Sequence, residues 1–185
     1  MENKEIFDRL AEISLSLGAL RATVIPVADV ETDVSFRAMC KSNACGNYGR
    51  NWMCPPDAGD IHELIERLRT YTYVLVYQTV TELEDSYDYE GMMDAGVAHN
   101  ELMIRLREQL KAEGLSRVLH LGAGGCRMCP VCAKRTGEPC RKPDLAVASL
   151  ETYGINVSKL ATAAGMKYIN GQNTVTYFGA VLFDL

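Results

Sequence analysis

The chain has 185 residues, 48% of them hydrophobic and 23% charged, a balance typical of a folded core and not of a disordered polypeptide. The formal net charge is −5, and no stretch approaches the roughly 20 apolar residues of a membrane helix. Four acidic side chains in the first 20 residues argue against a secretory signal, so we expect a cytoplasmic protein. At this length we expect a single metal-binding domain over residues 1–185.

In the first half of the chain, the pattern predicts two helices and two strands. An apolar stripe at helical spacing predicts a helix over residues 6–17, and a short β-branched run predicts a strand over residues 22–27. After a cysteine-containing loop, Asp57 or Asp60 can cap a second helix, and Asp60 with Glu63 forms a pair similar to a capping box. Residues 73–80 form a mostly apolar run typical of a strand buried on both faces.

The second half continues the alternation of strands and helices. Residues 82–91 are acidic and tyrosine-rich, which predicts a surface loop, and a long helix is expected over 98–113. A strand over 117–121 leads into a glycine-rich run and a second cysteine loop, followed by a helix over 157–164 and a strand over 174–183. The sequence therefore predicts an α/β sandwich with a small mixed or parallel sheet and both cysteine loops at one edge.

Seven cysteines carry the chemical information, because an odd number in a chain without an export signal is not a disulfide framework. They form two groups in loops spanning about residues 37–56 and 122–143, and none lies outside them. The first group is Cys40, Cys45 and Cys54, and the second is Cys126, Cys129, Cys132 and Cys140. Grouped thiols of this kind predict metal ligands, so all seven are candidate cofactor-binding residues.

Basic residues gather around the same cysteines. Eight lie within 37–54 and 126–142, against one acidic residue, whereas the rest of the chain holds 11 basic and 23 acidic residues. Positive charge near thiolates lowers their pKa and offsets the charge of a metal site. Eight basic residues on an acidic protein are a weak indication of a nucleic-acid-binding surface, so we do not expect nucleic-acid or membrane binding.

The spacing of the second group, with two successive gaps of two residues, is similar to that of bacterial ferredoxins and predicts one or two [4Fe–4S] clusters. Two divisions of the ligands stay open. Either the second group holds one cluster and the first group another, or Cys54, which precedes a proline as in ferredoxins, completes the cluster of Cys126, Cys129 and Cys132. Both divisions leave a three-cysteine site with an open position, for which His120 is a candidate ligand.

Zinc is the alternative metal, because soft thiolates bind either one. Structural zinc sites usually use two separated pairs of cysteines, and the overlapping triple at 126, 129 and 132 fits that arrangement less well. The run Gly122-Ala123-Gly124-Gly125 lacks the full dinucleotide-binding pattern and precedes a cysteine loop, so it favours close backbone approach to a cluster over nucleotide binding.

Four segments resemble a prokaryotic family of cysteine-rich predicted metal-binding proteins, a domain of unknown function common in anaerobes. The segments span residues 45–56, 122–132, 138–143 and 149–157, and the first reads CGNYGRNWMCPP. The resemblance implies a cysteine-bound metal and no established reaction.

The sequence thus predicts an iron–sulfur protein that exchanges electrons with a redox partner protein in anaerobic metabolism. Two alternatives remain open at this stage. One is an enzyme that uses the open iron of a three-cysteine cluster, and the other is a zinc-stabilised binding module.

Overall fold

The computed structural model describes residues 2–185 and contains five α-helices. Asp60 caps α3 by accepting hydrogen bonds from the backbone N–H groups of His62 and Glu63, as its position in the sequence predicts. Among the described residues, no helix is both long enough and apolar enough to cross a membrane. The helices are α1 (Glu2–Ser16), α2 (Phe36–Lys41), α3 (Ile61–Arg69), α4 (Tyr89–Leu110) and α5 (Val157–Ala163).

Five strands form one mixed sheet in the spatial order β1-β2-β5-β3-β4. Three of the four pairings are antiparallel, and only β3 with β4 is parallel, so a wholly parallel sheet is excluded and the mixed one is confirmed. The strands are β1 (Arg21–Pro26), β2 (Tyr73–Glu82), β3 (Ser116–Gly122), β4 (Ala148–Ser149) and β5 (Thr174–Asp184).

Helices cover both faces of this sheet, which confirms the predicted sandwich. On one face, Leu10 of α1 and Leu106 of α4 pack with Leu75 of β2 in one hydrophobic cluster. On the other face, Leu68 of α3 and Leu160 of α5 belong to a larger cluster. Strand β2, the second strand of the sheet, is buried over residues 74–78, as its mostly apolar run predicts. That residues 1–185 act as a single metal-binding domain stays a prediction.

The predicted helices and strands are present, and α4 differs most from its expected bounds. It begins at Tyr89, nine residues before the predicted start. The reason is local, because the side chain of Asp88 accepts a 2.8 Å hydrogen bond from the Gly91 N–H and starts the helix within the acidic segment. The short helix α2 and the two-residue strand β4 have no counterpart in the sequence prediction, since both are too short to show a periodic pattern.

The chain that follows β1 and carries the first cysteine loop runs back toward β4, at the opposite edge of the sheet, where it meets the second cysteine loop. Strand β1 lies at one edge of the sheet and β3 is the fourth strand, so the two cysteine loops do not leave neighbouring strands. After β1, Thr32 forms an isolated antiparallel bridge with Ile155, and the Asn156 N–H donates a 3.0 Å hydrogen bond to the Glu31 carbonyl. These contacts hold the start of the first loop beside the end of β4, where the second loop also ends.

Candidate metal centre

The first three cysteines lie along one side of an open cleft of about 630 Å³. Cys40 occupies the last turn of α2, and Cys45 and Cys54 follow in the turns that lead toward α3. Cys45 is exposed, Cys40 is partly buried and Cys54 is buried, so the set extends from the solvent into the protein. Within residues 2–185 all of the cysteines are free thiols, which leaves each sulfur available to a metal.

The four cysteines of the second loop line a separate and much smaller void of about 20 Å³. Cys126, Cys129, Cys132 and Cys140 are each partly buried there, and the void has room for about one water molecule. Trp52 and Met53 of the first loop complete its wall. Cys140 therefore lines the same void as the other cysteines of its own loop, while the division of the seven cysteines between metal sites stays a prediction.

Two side chains of the first loop join it to the second. Asn51, which is only 4% exposed, donates a 3.1 Å hydrogen bond from its amide nitrogen to the Cys126 carbonyl. The indole Nε1–H of Trp52 donates a 3.0 Å hydrogen bond to the Glu138 carbonyl. Because neither bond uses a sulfur atom, the two loops stay together while their thiols remain free.

An ion pair adds a third connection between the loops. Lys134 pairs with Asp57, and its Nζ also lies 4.3 Å from the centre of the Trp52 ring. Both partners of the ion pair are largely shielded from solvent, which makes the pair stronger than one on the open surface. The charge of Lys134 therefore stabilises the first loop through a carboxylate and an aromatic face at once.

The buried Cys54 lies within electrostatic reach of both cysteine groups. Its pKa is raised to about 12. Burial is the larger cause, and the remainder comes from the negative charges of Cys45, Cys40, Cys126 and Cys132. Since a thiolate is the form that binds a metal, only a strong positive charge at this position would hold Cys54 ionised at neutral pH.

Cys40 has a similar but smaller perturbation. Burial raises the pKa of the Cys40 thiol, and the nearby positive charge of Arg37 opposes that change. Arg37 also donates a 2.9 Å hydrogen bond to the Gly59 carbonyl, so the guanidinium is anchored beside the cleft. The clustering of basic residues around the cysteines thus has a direct electrostatic effect at this position.

His120 does not join the cysteines. It is 7% exposed and lies in β3, where it lines a different cavity together with Arg107 and Asp144. Burial, with a smaller contribution from the charge of Arg107, lowers the pKa of His120 to about 3. The idea that it fills the open position of a three-cysteine site has no support in this arrangement.

A family model described as "Predicted metal-binding protein (DUF2284)" matches residues 23–183. The chain belongs to this family. The match extends from β1 into β5 and includes all seven cysteines, so the metal-binding description of the family covers both loops. No curated protein and no solved structure matches the chain. The description of the family names metal binding and gives no reaction.

Three residues of this predicted metal-binding protein gain importance only from the structure. Asn51 joins the loops, and Arg127 and Glu151 are the two charged residues in the described part of the chain that line the cleft of the first cysteine group. In the sequence, Arg127 is only one of the eight basic residues near the cysteines. Glu151 lies in the segment 149–157, which carries part of the family resemblance, and this was the one signal that pointed toward it.

Proposed function

We propose that this protein binds [4Fe–4S] clusters through its two cysteine groups and transfers electrons to or from a redox partner protein. The observation that carries the proposal is the adjacency of the two groups. Asn51 and Trp52 bind the second loop directly, and Cys54 lies close enough to Cys126 and Cys132 for their charges to act on its thiol. Clusters at two adjacent sites would let an electron pass from one to the other within the protein.

The donor set supports a cluster with several irons. Among residues 2–185, no three His, Cys, Asp or Glu side chains are already arranged to hold one metal ion, so a zinc ion and a cluster would each require the cysteine side chains to move. A tetrahedral zinc ion with bonds of about 2.3 Å needs its sulfur ligands only about 3.8 Å apart. In an iron–sulfur cluster each thiolate binds a different iron, so the cysteine sulfur atoms are farther from one another than they are around a single zinc ion. The cysteine spacing 126, 129, 132 also matches the ferredoxin pattern over its first three ligands.

When bound, such clusters supply one-electron transfer at potentials between roughly −700 and +450 mV. The residues of the chain set the surroundings of that chemistry. Trp52 and Met53 cover the second cysteine group and limit its contact with water, and Lys134 places a positive charge over the Trp52 ring. Burial, hydrogen bonding and nearby charge are the terms through which a protein adjusts a cluster potential.

Zinc remains a second candidate at the four-cysteine group for one specific reason. The void of about 20 Å³ is large enough for a single ion, whereas a cluster requires the side chains around it to move outward. The cleft of about 630 Å³ at the three-cysteine group has no such restriction. Zinc in the second loop would make that loop structural and leave redox chemistry to the first.

The cellular setting is part of the same proposal. We place the protein in the cytoplasm and in anaerobic metabolism, because exposed thiolate-bound clusters persist where oxygen is absent. The acidic surface outside the cysteine loops, with 23 acidic and 11 basic residues, would favour a partner with a basic docking face.

The experiment is metal and sulfide analysis of protein purified without oxygen. We expect a brown protein with iron and acid-labile sulfide in equal amounts and an EPR signal after reduction. Cys129→Ser and Cys45→Ser should each remove a different part of the iron. A colourless protein with stoichiometric zinc and no sulfide would overturn the proposal.

A further inference from the structure

We propose that the cleft beside Cys40, Cys45 and Cys54 binds a small, partly apolar molecule through an oxyanion group, either a carboxylate or a phosphate, and that Arg127 is the residue that holds the oxyanion. The inference deepens the proposed function, since it names the class of molecule that would meet the three-cysteine site.

The size and lining of the cleft are those of a small-molecule site. Its volume of about 630 Å³ falls within the range of roughly 300–1,000 Å³ usual for ligand pockets. Much of the wall is apolar or aromatic, with Phe36 and Met39 from α2 and with Tyr48 and Tyr168 from two loops. Such a wall suits the carbon skeleton of a small molecule, while the few polar groups fix its orientation.

Among residues 2–185, Arg127 is the one positively charged residue that lines the cleft. Within residues 2–185 its guanidinium forms no hydrogen bond and no ion pair, unlike Arg37, Arg69 and Arg141, each of which donates to a carbonyl or carboxylate. A guanidinium has five N–H donors in a planar fork, a shape that binds a carboxylate or phosphate through two hydrogen bonds. The side chain therefore has its full donor capacity available to a ligand.

Gly96 leaves the space that the guanidinium of Arg127 occupies. A Cβ atom at Gly96 in α4 would lie 2.8 Å from Nη1 and 3.4 Å from Cζ of Arg127, so the absence of a side chain at residue 96 makes room for the guanidinium. Met128, the next residue, is 9% exposed and packs with Met103 of α4 and Val147, which fixes the chain beside Arg127. The guanidinium is thus held against α4, and Arg127 also lines the cleft.

Glu151 contributes a negative charge to the lining of the same cleft. It begins the short 3-10 helix Glu151–Tyr153, which contacts α2, the helix that carries Cys40, and so lies on the side of the cleft near the first cysteine group. An oxyanion is repelled by this carboxylate and attracted by Arg127, so the two charges give the ligand one orientation. The apolar end of the ligand then lies along the aromatic wall.

The test uses three probes of similar shape and the full-length protein as purified without oxygen. Benzoate carries a carboxylate, phenyl phosphate carries a phosphate, and benzamide is the neutral counterpart. Binding is measured by isothermal titration calorimetry. We expect benzoate or phenyl phosphate to bind at least about tenfold more tightly than benzamide, the ratio that one charge-assisted contact produces. Which anion binds more tightly distinguishes a carboxylate ligand from a phosphate ligand.

Three variants assign the effect to Arg127. Arg127→Gln should abolish the preference for the anion, whereas Arg135→Gln, which removes an exposed charge of the same loop outside the cleft, should retain it. Glu151→Gln removes the negative charge and should leave the anion affinity equal or higher. A preference that survives Arg127→Gln, an equal loss in Glu151→Gln, or no binding of any probe would overturn the inference.

Iron and sulfide are measured on the same samples, so the two proposals fail separately. Absence of iron and sulfide contradicts the cluster proposal whatever the probes do. Absence of an anion preference in protein that contains iron and sulfide contradicts the cleft assignment alone.

Discussion

The amide nitrogen of Asn51 donates a 3.1 Å hydrogen bond to the carbonyl oxygen of Cys126, a residue 75 positions later in the chain. The Oδ1 atom of the same side chain accepts a 3.0 Å hydrogen bond from the backbone N–H of Met53. Asn51 is 4% exposed, so both bonds are shielded from water. One buried amide thus fixes the shape of the first cysteine loop and its distance from the second.

Asn51→Ala should therefore weaken both cysteine sites at once. Loss of the side chain leaves the Cys126 carbonyl and the Met53 N–H without partners, and we expect a loss of about 1–3 kcal/mol in the free energy of unfolding. Chemical unfolding of the anaerobic protein measures this value, and iron content reports the sites. Asn3→Ala, which removes an exposed amide bonded to Tyr73, is the matched control and should change little. Equal effects of the two substitutions would contradict this role of Asn51.

Replacement of Cys140 tests how the seven cysteines are divided. Because Cys140 lines the same void as Cys126, Cys129 and Cys132, Cys140→Ser should alter the same spectroscopic species as Cys129→Ser and leave that of Cys45→Ser intact. EPR or Mössbauer spectra of the three variants measure this. If Cys140→Ser and Cys45→Ser perturb one common species, the ferredoxin-like division is the correct one.

Gly179 and Tyr77 face each other in the β2–β5 pairing, and the ring occupies the space above the glycine. A Cβ atom on residue 179 would overlap the ring, with Cε2 of Tyr77 only 2.7 Å away, and Tyr77 is fully buried. Gly179→Ala should lower the free energy of unfolding by about 1–3 kcal/mol or more through overpacking.

A double-mutant cycle with Tyr77→Leu tests the cause of this loss. The smaller side chain relieves the overlap, so the double variant should lose less stability than the sum of the two single variants. Additive losses in chemical unfolding would show that the ring is not the obstacle.

His99 makes stability depend on pH. It is 3% exposed, its Nδ1 lies 2.8 Å from the Thr79 hydroxyl, and its ring stacks on Tyr77. Burial, with a smaller contribution from the charge of Arg127, lowers the pKa of His99 to about 4. The folded protein therefore holds this imidazole neutral, and the stability it contributes is complete above its ordinary pKa of about 6.5 and is lost as pH falls toward 4.

As the pH falls from 7 to 5, the lowered pKa of His99 should reduce the free energy of unfolding by about 2 kcal/mol. His99→Gln should flatten the decline by that amount, while His62→Gln, at an exposed position, should follow the unmodified protein. Urea unfolding of the three proteins at both pH values, each with its metal content measured, provides the comparison. Identical declines in all three would contradict the assignment to His99.

Much of the fold was predictable because its signals are local. The apolar run of β2 and the cap at Asp60 can be identified without any long-range contact, and both are confirmed. The early start of α4 was missed because Gly91, Gly96 and the acidic residues before them obscure the helical pattern. The structure accounts for these residues through contacts, since Asp88 caps the helix and Gly96 makes room for Arg127.

The sequence by itself determined that the seven thiols are grouped in two loops and that the chain resembles a metal-binding family. Only the tertiary structure decided which cysteines line the same cavity and how the loops meet. The loops leave strands that are not neighbours, and they converge because Thr32 bridges to Ile155 and Asn51 binds Cys126. The spacing of cysteines along the chain determines the local geometry of the ligands. Contacts between residues 75 or more positions apart depend instead on the order of the strands in the whole sheet.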